Sequence, residues 1–251
     1  MEIVFLTALG VGGATIIGAL IGFLIRKPSH RFNDIVLSFA AGVMLCAAVI
    51  GLIVPSLTDK NGSLLITIIG VLAGAVCLNL IDKLVPHLHK ITGVEIEKHP
   101  NKNNQLSKVL LFVIAIAIHN LPEGIAAGVS FGSENTAHAL TIAGGIALQN
   151  IPEGMIIIAP MLSAGVSKKR TFLIALSTGI IEVVGTLIGY FAVTISQAIL
   201  PFALAFAGGT MLYVISDEMI PETHAHGSQR GATYALLIGF CVMLVFDILL
   251  G

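Results

Sequence analysis

Charge is scarce in this chain. Of its 251 residues only 11% are Asp, Glu, Lys or Arg, and tryptophan is absent. Soluble domains carry about 25% charged residues, so an ordinary water-facing surface is excluded and lipid must solvate most of the molecule. Cysteine is equally thin. Cys46, Cys77 and Cys241 each stand alone inside a hydrophobic run, which excludes a disulfide framework and a CxxC metal site. They read as small packing residues. The first apolar run is long and has no basic lead-in, so it is expected to be a span and not a cleaved signal. The formal net charge of −1 says little about partners; nucleic acid is not among those expected.

What the chain has instead is 56% hydrophobic residues, gathered into long runs. Crossing ~30 Å of hydrocarbon takes about 20 apolar residues per helix. The runs fall at 2–25, 35–57, 63–85, 107–131, 138–162, 171–194, 198–219 and 232–250. They are continuous and not alternating, which disfavours a β-barrel. The chain is therefore expected to be a single transmembrane domain over 1–251, an all-α polytopic membrane protein of eight helices.

Basic residues sort by connection. Arg26, Lys27 and Arg31 flank the first; Lys83, Lys90, Lys98, Lys102 and Lys108 the third; Lys168, Lys169 and Arg170 the fifth; Arg230 the seventh. Only Lys60 falls in an even-numbered connection, so twelve of thirteen lie on one side. That side is expected to be the cytoplasm, with both termini outside, in a plasma (inner) membrane.

The chain also repeats itself. Gly18-Ala-Leu-Ile-Gly-Phe23 matches Gly185-Thr-Leu-Ile-Gly-Tyr190, and Phe39-Ala-Ala-Gly-Val-Met-Leu45 matches Phe206-Ala-Gly-Gly-Thr-Met-Leu212. Both matches share one offset of 167 residues; helices 3 and 8 show no convincing match. Helix 1 runs inward and helix 6 outward, so helices 1–3 and 6–8 form a repeat of inverted topology, as in many secondary transporters. Helices 4 and 5 stand outside it but resemble each other, through Ile116-Ala-Ile-His-Asn-Leu-Pro-Glu-Gly124 and Ile146-Ala-Leu-Gln-Asn-Ile-Pro-Glu-Gly154. The arrangement is 3+2+3.

The chemistry lies in that central pair. Glu123 and Glu153 fall near the centres of their spans. An acid there costs at least a few kcal/mol and marks an ion or proton path. Helical spacing puts His119 beside Glu123 and Gln149 beside Glu153, with Asn120 and Asn150 next to them. Pro122 and Pro152 cannot donate to the carbonyls of Ile118 and Leu148, so a kink or loosened turn is expected at each. A third acid, Glu182, sits mid-way along helix 6, where the repeat places Thr15 in helix 1. Three carboxylates, one imidazole and several amides suit Zn²⁺, Fe²⁺ or Mn²⁺. Three like charges held close together must take up protons or bind cations. One or two ions, with Glu123 and Glu153 as bridges, would nearly balance them.

The paired stretches His119-Asn120-Leu-Pro-Glu123-Gly124 and Gln149-Asn150-Ile-Pro-Glu153-Gly154 resemble the signatures of the ZIP family of metal transporters. Glutamine at 149, where many members have histidine, resembles its GufA-like branch. The resemblance implies a binuclear site, with His119, Glu123, Gln149 and Glu153 on one metal and Asn120, Glu123, Asn150, Glu153 and Glu182 on the other. It implies zinc uptake into the cytoplasm, with Fe²⁺, Mn²⁺ or Cd²⁺ as further cargo. It also implies alternating access, with a central bundle moving against the rest, and a homodimer. No cofactor is expected; the metal is the transported substrate.

Weaker signals lie at the cytoplasmic side. Asp217, Glu218, Glu222, His224 and His226 end helix 7 and are expected to relay metal out, or to be a solvated helix end. His87, His89 and His99 in the third connection are candidate chelators. His30 and His138 read as exposed loop or interface residues, and Asp247 as a cap or surface group. The rival from another class is an intramembrane metal-dependent enzyme, a hydrolase or dimetal oxidase. The chain lacks the HExxH of zinc proteases and the paired Glu-x-x-His of dimetal carboxylate helices.

Overall fold

The computed structural model describes residues 1–25, 28–84, 102–133 and 135–251. They form eight long helices and, among the described residues, no strand. In chain order these are α1 (Glu2–Ile25), α2 (His30–Thr58), α3 (Leu64–Leu84), α4 (Lys102–Ser130), α5 (Thr136–Ser163), α6 (Lys168–Ile195), α7 (Gln197–His224) and α8 (Gln229–Leu250). Among the described residues seven of them, all but α4, are both long and apolar enough to cross a membrane. The 29-residue α4 carries the first of the two paired stretches.

Several helices begin before their apolar runs. The reason is capping. Ser29 accepts from the Phe32 amide at 3.2 Å, Asn135 from that of His138 at 3.1 Å, and Ser167 from that of Arg170 at 3.4 Å. Each side chain satisfies one of the orphan amides of a first turn, so the helix extends into polar sequence that hydropathy leaves out.

The widened turns do not occur where the proline argument put them. The chain stays α-helical through Pro122 in α4 and Pro152 in α5. The π-helical stretches are instead in α2 (Ala47–Ile53) and α7 (Ile215–Met219). Each directly precedes a proline turn, Val54-Pro55 or Ile220-Pro221. A proline gives its i−4 carbonyl no N–H, and a wider i→i+5 turn takes up the mismatch.

Two sets of four helices pack around the site. In one, α1 lies on α5 and α6, and α4 lies on α6 and α5. In the other, α2 lies on α8 and α7, and α3 lies on α7. The sets meet chiefly where α2 touches α5 and α7 touches α4. The outward faces are apolar, with Leu64, Leu65 and Leu72 on α3 and Ile238 and Ile248 on α8 exposed. Such a surface suits acyl chains.

Close backbone approach holds the first set together. A Cβ at Gly124 would collide with the backbone of Glu182 in α6, and one at Gly154 with the carbonyl of Thr15 in α1. Small residues let helices approach in this way where lipid offers no hydrophobic drive. Gly124→Ala is therefore expected to cost about 1–3 kcal/mol by overpacking, read as a lower thermal midpoint in detergent. Gly144→Ala, with open space around its Cβ, should hold or raise that midpoint.

Candidate metal centre

The seven residues singled out in helices 4, 5 and 6 are all buried: His119, Asn120 and Glu123 on α4, Gln149, Asn150 and Glu153 on α5, and Glu182 on α6. The centre is organised by Glu182, which is 0% exposed. Its Oε1 accepts from Thr15 Oγ1 at 2.8 Å and from Asn120 Nδ2. Its Oε2 accepts from Asn150 Nδ2 at 2.7 Å. Asn150 Nδ2 also reaches the carbonyl of Val11 at 3.2 Å. One carboxylate thus ties α1, α4, α5 and α6 together.

This arrangement dictates what the two asparagines offer. With both amide nitrogens turned toward Glu182, both carbonyl oxygens are turned away from it. Asn120 Oδ1 and Asn150 Oδ1 are buried and have no hydrogen-bond partner among the described residues. The same is true of Glu123 Oε2 and Gln149 Oε1. A buried acceptor left unpaired costs about 1–3 kcal/mol, and four in one region are far from the usual economy of a protein interior. Gln149 Nε2 is unpaired as well, and the oxygens call for a donor or a cation. Among the described residues, however, no three His, Cys, Asp or Glu side chains converge tightly enough to enclose an ion by themselves.

His119 also meets a partner outside its own helix. Its Nε2 lies 2.8 Å from Glu218 Oε1 on α7. Glu218, expected from the sequence at the cytoplasmic mouth, thereby lies beside His119, within the π-helical stretch Ile215–Met219. The other outer candidates separate. His224 has Nδ1 at 2.8 Å from the Ile220 carbonyl and Nε2 at 3.3 Å from Thr233 Oγ1, so it closes off the end of α7. Glu222 is exposed. His226 lies 3.0 Å from Asp34 and stacks on His30. His138, read as a loop or interface residue, has Nδ1 3.6 Å from Asp247. His87, His89 and His99 lie outside the described residues.

Two residues were passed over by sequence reasoning. Thr15 entered it only as the repeat counterpart of Glu182, although that relation was itself the signal that they meet. Asp34 carried a signal in its spacing, four residues from both His30 and Ser38.

Comparison with known proteins agrees with this geometry. A family model described as ZIP Zinc transporter matches residues 94–247, more than half of the chain. The chain is 43% identical over 182 residues to "Zinc transporter GufA" of Myxococcus xanthus, covering 72% of this chain and 70% of that protein. It is 35% identical over 250 residues to "Zinc transporter ZIPB" of Bordetella bronchiseptica, covering 95% and 78%. With "Zinc transporter ZupT" of Streptococcus mutans it shares 32% identity over 252 residues, covering 96% and 94%. The paired stretches on α4 and α5, the carboxylate network joining them and these likenesses together make the chain a member of the ZIP family, on its GufA-like branch.

Proposed function

We propose that this protein carries divalent transition-metal ions, zinc foremost, into the cytoplasm through a site between α4, α5 and α6. The observation that carries the reading is the set of buried, unpaired oxygens of Asn120, Glu123, Gln149 and Asn150 beside three glutamates. Oxygen donors with one imidazole match zinc, iron and manganese, and relatives bearing the name zinc transporter favour zinc. The ligands are His119, Asn120, Glu123, Gln149, Asn150, Glu153 and Glu182. Two ions, bridged by Glu123 and Glu153, fit a donor set of this size.

An inverted repeat underlies the reading. Gly18 of α1 packs on Ile151 of α5, while Gly185, 167 residues on, packs on Leu121 of α4. Ile151 and Leu121 hold the same place in the paired stretches. Gly154 on Thr15 and Gly124 on Glu182 repeat the relation. Thr15 and Glu182 also hydrogen-bond to each other, as equivalent positions do where a two-fold axis passes between them.

Alternating access follows from how the two sets of helices meet. Inside the first set, glycines bring backbone onto backbone. Between the sets, Gly51 meets the Ile142 side chain and Gly145 the Met243 thioether. A side-chain boundary can slide where a backbone one cannot, so α1, α4, α5 and α6 move as one body against the other four helices. The basic-residue asymmetry supports an inward cytoplasmic face and outward termini. A homodimer belongs to the same reading; photobleaching of labelled protein in liposomes tests it.

The test of transport is reconstitution in liposomes holding a zinc-sensitive dye. An inward zinc gradient should raise the signal well above that of protein-free vesicles. A signal equal to theirs, from correctly folded protein, overturns the proposal.

A further inference from the structure

Away from the centre, one polar cluster has no task yet. His30, Asp34 and Ser38 stand four residues apart on α2 and so share one helix face. The stripe runs inward from the surface: His30 is exposed, Asp34 is 3% exposed and Ser38 is 0% exposed. His226, from the connection after α7, sets its Nδ1 3.0 Å from Asp34 Oδ1. Its ring stacks on that of His30 with 4.8 Å between centroids. The other carboxylate oxygen, Asp34 Oδ2, is buried and has no partner among the described residues; neither has Ser38 Oγ. A buried carboxylate paired on one oxygen only is costly. Two unpaired polar side chains lie on one helix face, beneath two imidazoles. The group has the composition of a cation site, although as they stand its three ionisable side chains do not converge on one point.

We propose that Asp34 and His226 are the ligands of a second divalent-metal site, separate from the buried centre, with His30 as a third ligand. Carboxylate and imidazole suit zinc and its neighbours. Tetrahedral zinc with bonds of about 2.0–2.1 Å sets two ligand atoms about 3.4 Å apart. The observed 3.0 Å between Nδ1 and Oδ1 needs only a small separation to admit the ion. His30, already in contact with His226, joins by turning its exposed ring. The Ser38 hydroxyl, one turn further along the face, is placed to orient the carboxylate. The cluster lies where α2 begins and α7 ends, the side that the basic residues assign to the cytoplasm. Its use as a station for ions leaving the centre rests on the transport reading; the binding does not.

The experiment counts zinc on purified protein in detergent, in a Glu123→Ala/Glu153→Ala background that disables the buried centre. One equivalent should remain bound. Adding His226→Gln should weaken it at least tenfold, and adding Asp34→Asn should do the same. His226 is in a connection, so its variant should keep the helical circular dichroism and gel-filtration profile of the parent. As a second readout, His226→Cys should give a cadmium–thiolate absorbance that Asp34→Ala removes. No zinc on the background variant overturns the proposal. So does binding that His226→Gln and Asp34→Asn leave unchanged. Failure of the transport reading would appear elsewhere, as undiminished flux through the background variant.

Discussion

Glu123→Ala should abolish zinc uptake in liposomes, and Glu153→Ala should do the same, with both variants still folded. A divalent ion leaving water gives up its hydration shell, and only charge-bearing ligands replace it in a low-dielectric interior. Glu123 is 1% exposed and Glu153 7% exposed, so no water stands in readily for a deleted carboxylate. Losing one partner of a buried charge pair costs about 3–5 kcal/mol. At 1.4 kcal/mol per factor of ten, binding falls by roughly two to three orders of magnitude. Flux should drop to the level of protein-free vesicles. Glu123→Gln should fare no better, since it keeps the shape and loses the charge. Undiminished flux in both alanine variants would remove the site from the transport path.

Glu182→Gln has the second large effect, because it disturbs the two asparagines as well as removing the charge of a proposed ligand. The carboxylate accepts from both asparagine amides and from Thr15. An amide at 182 offers one acceptor where two were needed, and its NH₂ confronts an asparagine NH₂. One asparagine must then rotate and turn its nitrogen toward the cation. Removing such outer support typically costs 10–100-fold in metal affinity, and a fall of that size is expected in zinc titrations. Thr15→Val removes one neutral donor and should cost nearer 1 kcal/mol, about fivefold. Equal losses in Thr15→Val and Glu182→Gln would mean that the network only packs helices. Tight binding in Glu182→Gln would mean that asparagine orientation is irrelevant.

Much of this was readable before any coordinates. Long apolar runs mark the helices because lipid demands them, and loop charge orders them. The paired stretches point at the centre because an acid at membrane depth is expensive. The reading failed where local rules met tertiary alternatives. Pro122 and Pro152 were expected to loosen their helices, yet the widened turns fall before Pro55 and Pro221. His119 meets Glu218 on α7, a partner that its own helix spacing could not reveal.

The sequence by itself determined the number of long helices and which residues share a face. Those follow from hydropathy and from the 3.6-residue turn, both properties of one segment at a time. Only the tertiary structure decided which faces meet. It put Thr15 on Glu182, left two asparagine oxygens buried and unpaired, and buried Asp34 beside His226. Inside lipid every helix is apolar, so hydropathy cannot choose its neighbours; small residues and a few polar contacts do, and their pairing exists only once the helices are packed.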